Sequence, residues 1–265
     1  MVKRNIRIFG EGIITGGNVQ KVRIFGCGEG RGSIVCKSLK IYGEGQFYGP
    51  VVAEKIIIMG EANFHSTVKA KLVKVYGDAT FHAEVEIEKM KVRGEGMLKG
   101  NSIVHDIHIA GDCQAESNLS SKNIKVLGEL SGEGHVKVEN LLSYGGISTK
   151  GEIEGERLVF KGEINNANLI NGEYVEVEVY GNCHCDAIGA SELKVYPSKK
   201  KNQNYRRYLN VSEIEGDRIE LSCVKANVVR GHEVVIGKKC EIETVEYSGT
   251  IVVNEDAVVK HEIRN

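Results

Sequence analysis

"VYGDATFHAEVEIEKMKVRGEG", residues 75–96, opens on Val-x-Gly, alternates along its length, and returns to Val-x-Gly at Val92–Gly94. The interval from Gly77 to Gly94 is 17 residues, and the same step recurs at Gly26, Gly43, Gly60, Gly111, Gly128, Gly145 and Gly162, with Gly10 and Gly181 flanking the series slightly out of step. A fixed period of this length is the signature of a repeat architecture.

Counting from that glycine shows what each repeat does. Two residues before it stand Ile8, Ile24, Ile41, Ile58, Val75 and Val92; four before it stand Ile6, Val22, Leu39, Ile56, Val73 and Met90. Eight after it come Ile34, Val51, Val68 and Val85, and four after it Phe47, Phe64, Phe81 and Leu98 form a ladder. Within a repeat the apolar positions are two apart, the strand period, so each repeat supplies three short strands facing one interior. Parallel strands in an ordinary sheet need helical crossovers, and no 3.6-residue period is present to provide them. The left-handed hexapeptide helix repeats in sixes, which 17 does not fit. The fold expected is all-β: a right-handed three-sided parallel β-helix, or β-solenoid, of about 17 residues per coil.

The glycine marks a corner of the coil. A second corner six residues later carries Gly16, Gly32, Gly49, Ser66, Ala83, Gly100, Ser117, Gly134 and Gly151, all small, as a sharp turn, often of positive φ, requires where the next coil passes directly above it. The period falters after Gly181, where "VYP" places Pro197 at the expected glycine. The organisation expected is one domain: regular coils over 1–197, a basic inserted loop over 198–212, and further coils of the same domain over 213–265.

Composition agrees. The 265 residues include 32 Gly and only 2 Pro, with no Trp. Lys plus Arg (35) nearly balance Asp plus Glu (36), so no global charge draws the chain to nucleic acid. "MVKRNIRIFG" lacks the apolar core of a signal peptide, no run of 18 apolar residues occurs, and seven cysteines at irregular spacing suit reduced thiols. A cytoplasmic protein is expected.

The glycine-marked coil, together with "IEGDRIELSCVKANVVRGHEVVIGKKCEIETVEYSG" (residues 214–249), resembles the bactofilins, polymer-forming bacterial cytoskeletal proteins, in particular the firmicute-type members. The resemblance implies subunits joined end to end into nucleotide-free filaments that support cell shape, motility or the placement of wall machinery. It differs from the common pattern in that the first strand begins at Ile6, without a long N-terminal tail. A solenoid whose terminal coils lack an amphipathic cap presents an open apolar layer and unpaired backbone. Neither "MVKRN" nor "VVKHEIRN" reads as a cap, so self-association through Ile6, Ile8, Val258 and Ile263 is expected.

Other candidates lie on outward positions. Phe9, Phe25, Tyr42, Met59 and Tyr76, each just before the glycine, form a stripe suited to lateral or partner contact. Lys199, Lys200, Lys201, Tyr205, Arg206, Arg207 and Tyr208 concentrate charge and aromatic rings in the inserted loop, which suits an anionic membrane surface or an acidic partner and would make the protein membrane-associated. An acidic column follows the glycine (Glu44, Glu61, Asp78, Glu95, Asp112) and a basic column precedes it by three (Arg23, Lys40, Lys74, Lys91). Stacked unit charges about 4.8 Å apart cost only about 0.9 kcal/mol per neighbour in water, so both columns stand as solvated faces. His65 and His82 share a column; Cys183 and Cys185 should point inward with His184 outside. No metal, cofactor or small-molecule substrate follows from these groups, and no enzymatic activity is expected. The alternative is a β-helix enzyme or binding protein acting on polysaccharide, for which only the inserted loop could build a groove.

Overall fold

The computed structural model describes residues 4–165, 167–181, 183–198 and 207–265. The chain is an all-β parallel β-solenoid of about 15 turns, some 17 residues each, with no helix among the described residues. It divides into two compact units, Met1–Gly134 and His135–Asn265.

In the first unit each regular coil contributes an eight-residue and a four-residue strand, such as Val68–Val75 and Asp78–Phe81. Along Val68–Val75 the side chains of Val68 and Ala70 point inward, Lys71 and Leu72 turn out, and Val73 and Val75 point in again. Two successive outward residues require a bend, and the ladder with Val85–Val92 skips Lys71 and Glu88 at that point. The long strand therefore serves two sides of the coil and the short strand the third. Register is uniform: Ile56 lies opposite Val73 and Val73 opposite Met90, while Phe47, Phe64 and Phe81 stack in the other sheet. Like residues superpose because the 17-residue period keeps every side chain on its own column. Ile24, Ile41, Ile58, Val75 and Val92 are wholly buried in consequence. Each such side chain contributes about 1.5–3 kcal/mol of burial free energy.

The close pass of the next coil expected at the corners is what the glycines answer to, and a positive φ is the exception. Among the described residues only Gly16 and Gly17 have glycine φ values in the positive range, +112° and +111°; Gly16 opens the second-corner column, and the later glycines of that column do not share its φ. What the position requires is close approach: a Cβ built on Gly60, Gly77 or Gly94 would run into the carbonyl oxygen of the glycine one coil below. Those carbonyls are in use, since Asp78 N–H donates to Gly60 O and Glu95 N–H to Gly77 O, each at 3.0 Å.

In the second unit the strands lengthen to 13 residues in Ala167–Val179, Leu209–Leu221 and Val224–Ile236, and to 15 in Cys183–Pro197. The step changes as well. Leu209 lies opposite Val224, an offset of 15, so these coils are shorter than the glycine-marked ones. Leu209, Val211, Ile214, Ile219 and Leu221 are buried and Gly216 is half-buried, giving inward positions separated alternately by one and two outward residues around the bends. Leu209 is stacked on Cys183, an offset of 26, and regular strand resumes at Leu209, before the expected end of the insertion at 212.

Candidate functional site

The three sides of the first unit differ in what they turn outward. The strand leading to each glycine presents Lys21, Arg23 and Phe25 in one coil, Ser38, Lys40 and Tyr42 in the next, then Lys55, Ile57 and Met59, then Leu72, Lys74 and Tyr76. The strand after the glycine presents an acid at its first position in almost every coil, as in Glu44, Glu61, Asp78, Glu95 and Asp112. The third side mixes signs, and there opposite charges on neighbouring coils pair, as Lys69 does with Glu86 at 2.5 Å.

The outward stripe expected beside the glycine is present. Phe9, Phe25 and Tyr42 stack with ring centroids 5.0 and 4.9 Å apart and nearly parallel planes. Met59 and Tyr76 continue the column in the exposed state, and Arg93 then lies over Tyr76 at 5.4 Å. Because faces are spent on one another, the stripe offers ring edges to solvent, except at Phe9, which is 73% exposed. Tyr48, His65 and His82 form a second outer stack at 4.7 and 4.6 Å, with His65 Nε2 3.1 Å from Gln46 Oε1. Burial, with the neighbouring His65 and Lys99 charges, holds His82 below the usual histidine range. Among the described residues no cluster of three or more His, Cys, Asp or Glu is placed to hold a metal ion.

The strands expected to associate are placed as follows. Ile8 is buried and Ile6 half-buried. Val258 and Ile263 are exposed, but on outward columns: Val258 continues Lys225 and Glu241, and Ile263 continues Arg230 and Glu246. The inward columns at that end pass from Ile242 to Val259 and from Val245 to Glu262. Of the basic loop, Lys199, Lys200, Lys201, Tyr205 and Arg206 lie outside the described residues. Arg207 sits over Tyr180 at 5.4 Å, and Tyr208 carries the Lys225 ammonium over its ring at 4.7 Å.

Cys183 and Cys185 are wholly buried and His184 lies outside, near Asp186. Burial pushes the thiols of Cys36 and Cys240 up to about 11 and those of Cys113 and Cys185 up to about 12. Cys27 alone is exposed, and the carboxylate of Glu44 raises its pKa too. A thiol reagent is therefore expected to label one cysteine in the native protein and all seven after denaturation. Labelling of Cys27 should accelerate as pH rises from neutrality, because only the thiolate reacts; mass spectrometry after timed labelling checks both points, and rapid modification of Cys183 or Cys185 would contradict the burial.

One cluster was hidden from the sequence. Glu176 accepts hydrogen bonds from Tyr174 Oη at 3.0 Å and Tyr196 Oη at 2.5 Å, with Arg157 and Lys161 within 3.7 Å. Arg157 also stacks on Tyr174 at 4.2 Å. These hydroxyls and cations keep Glu176 ionised against its burial, below the ordinary carboxylate range. With both oxygens engaged, the carboxylate ties neighbouring coils together across an outer face.

No family model matches the chain, and no solved structure matches it. Two proteins of Bacillus subtilis (strain 168) are similar over short stretches. The uncharacterized protein YhbE is 52% identical over 52 residues, 20% of this chain and 22% of YhbE. The uncharacterized protein YhbF is 41% identical over 69 residues, 24% of this chain and 27% of YhbF. The chain is thus a β-solenoid protein distantly related to YhbE and YhbF, matching about a quarter or less of the length of either.

Proposed function

We propose that the protein is a non-catalytic cytoplasmic scaffold whose coils join end to end into nucleotide-independent filaments or oligomers, as in the bactofilins it resembles. The observation that carries this reading is the condition of the first and last described strands. Among the described residues Asn5–Ile8 pairs only with Gly17–Ile24, and Val258–Arg264 only with Glu241–Val253. Each leaves a row of backbone donors and acceptors facing away from its one neighbour, a template for another strand. The apolar columns reach these strands with rising exposure. Ile6 is half-buried where Val22 in the same column is fully buried, and Val253 is exposed where Ile236 is fully buried. A further coil in register would satisfy the backbone and cover the apolar layer together. A second copy of the chain supplies such a coil. Support of cell shape, motility or wall machinery is the role that the resemblance attaches to such a polymer.

Negative-stain microscopy and sedimentation at increasing concentration test the reading. Threads are expected from the unaltered protein, and particles of single-chain mass from Ile6→Glu or Val253→Glu, each with an unchanged far-ultraviolet circular dichroism spectrum. Monodisperse single chains at every concentration, or threads of unchanged length in both variants, would overturn it.

A further inference from the structure

We infer that two sides of the first unit are complementary across copies of the chain: the basic side of one molecule lies alongside the acidic side of another. This goes beyond end-to-end joining and does not need it, since everything it uses lies within residues 4–134.

The two sides are segregated by sign. On the second half of the long strand in the first unit, at positions five, three and one before the glycine, Arg7, Lys21, Arg23, Lys40, Lys55 and Lys74 all project outward, and Asp106 is the only carboxylate there among the described residues. The strand after the glycine carries Glu44, Glu61, Asp78, Glu95, Asp112 and Glu129, and no Lys or Arg among the described residues. The remaining side shows what this chain does when it pairs charges internally: Lys69 meets Glu86 one coil away. Over much of the two segregated sides that relief is missing, although Glu29 at one end of the acidic side pairs with Arg31. Among the described residues Lys21, Arg23, Lys40, Lys55, Lys74 and Lys91 make no ion pair, and neither do Asp78, Glu95 and Asp112. Each column repels itself along its length, and the repulsion is tolerated on both sides at once.

A second copy relieves both. The basic and acidic columns are generated by the same coil, so they share one axial step. Once a single cation meets a single carboxylate, the following coils meet in the same register, whichever way the second molecule runs. Exposed ion pairs are individually weak and screened by salt, so the contact gains strength by repetition along the unit. A contact between unlike sides is heterologous and leaves the basic side of the second molecule free to take the acidic side of a third, so growth proceeds sideways. The Phe25 and Tyr42 stack stands at the corner between the two sides, where it borders the contact.

The test uses the full chain in the Ile6→Glu background and again without it, so that sideways and end-to-end association are scored separately. A basic-side variant carries Lys40→Glu, Lys74→Glu and Lys91→Glu; an acidic-side variant carries Glu61→Lys, Asp78→Lys and Glu95→Lys. Sedimentation velocity is run at about 50 mM and about 500 mM NaCl, where screening differs severalfold. The chain with both sides intact should self-associate at low salt, weakening by about tenfold or more at high salt. Each variant alone should lose that association, and an equimolar mixture of the two should regain it, because opposite signs again face each other. Absence of salt-sensitive association with both sides intact, undiminished association of either variant alone, or failure of the mixture to recover would overturn the inference. Vesicles of phosphatidylglycerol form the remaining arm: if the basic-side variant loses vesicle binding while self-association is unchanged, the basic side takes a lipid surface and the inference falls. Loss of threads in Ile6→Glu with sideways association retained removes nothing from it.

Discussion

Gly77→Val is expected to destabilise the first unit by about 3 kcal/mol or more, lowering the melting temperature by roughly 6–12 °C. The reason is local and steric. A Cβ at position 77 points into the carbonyl oxygen of Gly60, and that oxygen is already the acceptor for Asp78 N–H at 3.0 Å. The neighbour is backbone, so it cannot rotate away as a side chain would. Relief means separating the coils at that corner, which breaks ladder bonds on both sides of it and leaves polar groups short of partners. Ala83→Gly, at the second corner, is the control. Ser66, Ala83 and Ser117 already carry side chains in that column, and Ser117 Oγ donates to Lys99 O at 2.6 Å. Position 83 already holds a Cβ, whereas one built on Gly49, Gly100 or Gly134 in the same column would meet backbone of the coil below at 2.4 Å or less, so removing the Ala83 methyl should change stability by about 1 kcal/mol or less. Thermal melts followed by amide hydrogen exchange at Asp78 and Glu95 distinguish the two corners. Equal melting temperatures for Gly77→Val and the parent would remove close stacking as the reason for the glycine series.

The regular half of this fold was legible because its columns repeat in the sequence. Ile24, Ile41, Ile58 and Val75 stand at one phase of a 17-residue step, and all are fully buried. Phe47, Phe64 and Phe81 stand at another and form the inner aromatic stack. The cause of the glycine was legible only in part, since a small residue answers equally to a positive φ and to a close neighbour, and only coordinates separate them. Beyond Gly181 the landmark is gone and the step drifts. Tyr174 lies opposite Glu192, an offset of 18, and Leu209 opposite Val224, an offset of 15. Alternation alone does not say how many residues each bend consumes, and a slip of one residue exchanges inside for outside. That is why Val258 was assigned to the association surface when its neighbour Val259 continues the inward column. It is also why the ties from Tyr174, Tyr196 and Arg157 to Glu176 were invisible: they join residues brought together by a step that the sequence does not repeat.

The charge pattern was legible as two columns but not as two opposed sides. Reading Lys40 and Glu44 from sequence gives two ladders, each tolerable in water. The coil geometry adds that they face away on different sides, each of nearly one sign apart from Asp106 on the basic side, while the third side pairs its charges between coils. If both proposals hold, joining at the terminal coils would be largely independent of salt and joining across the charged sides governed by it, so the two modes would respond to different conditions.

Phe64→Ala is expected to be the most damaging single truncation in the core, costing about 4 kcal/mol. Phe64 is wholly buried between Phe47 and Phe81, with ring centroids 4.8 and 5.0 Å away and planes within 11° and 4° of parallel. Its removal creates a cavity and deletes two stacking contacts, each worth about 0.5–1.5 kcal/mol beyond burial. The surroundings have little means of collapsing into the gap, because the ladders above and below are fixed in register and Ala62 and Ala79 beside it are too small to fill it. Phe25→Ala in the outer stack is the comparison: its ring is 41% exposed and borders solvent, so about 1 kcal/mol is expected there. Since each coil is supported only by its neighbours, the loss at Phe64 should also divide the unfolding of the first unit, with the coils on either side melting separately. Denaturant unfolding monitored at both Phe64→Ala and Phe81→Ala, and in the double variant, measures the coupling. A double variant whose cost equals the sum of the singles would show that the rings do not act as a stack, and a Phe64→Ala cost no larger than that of Phe25→Ala would place Phe64 outside the core altogether.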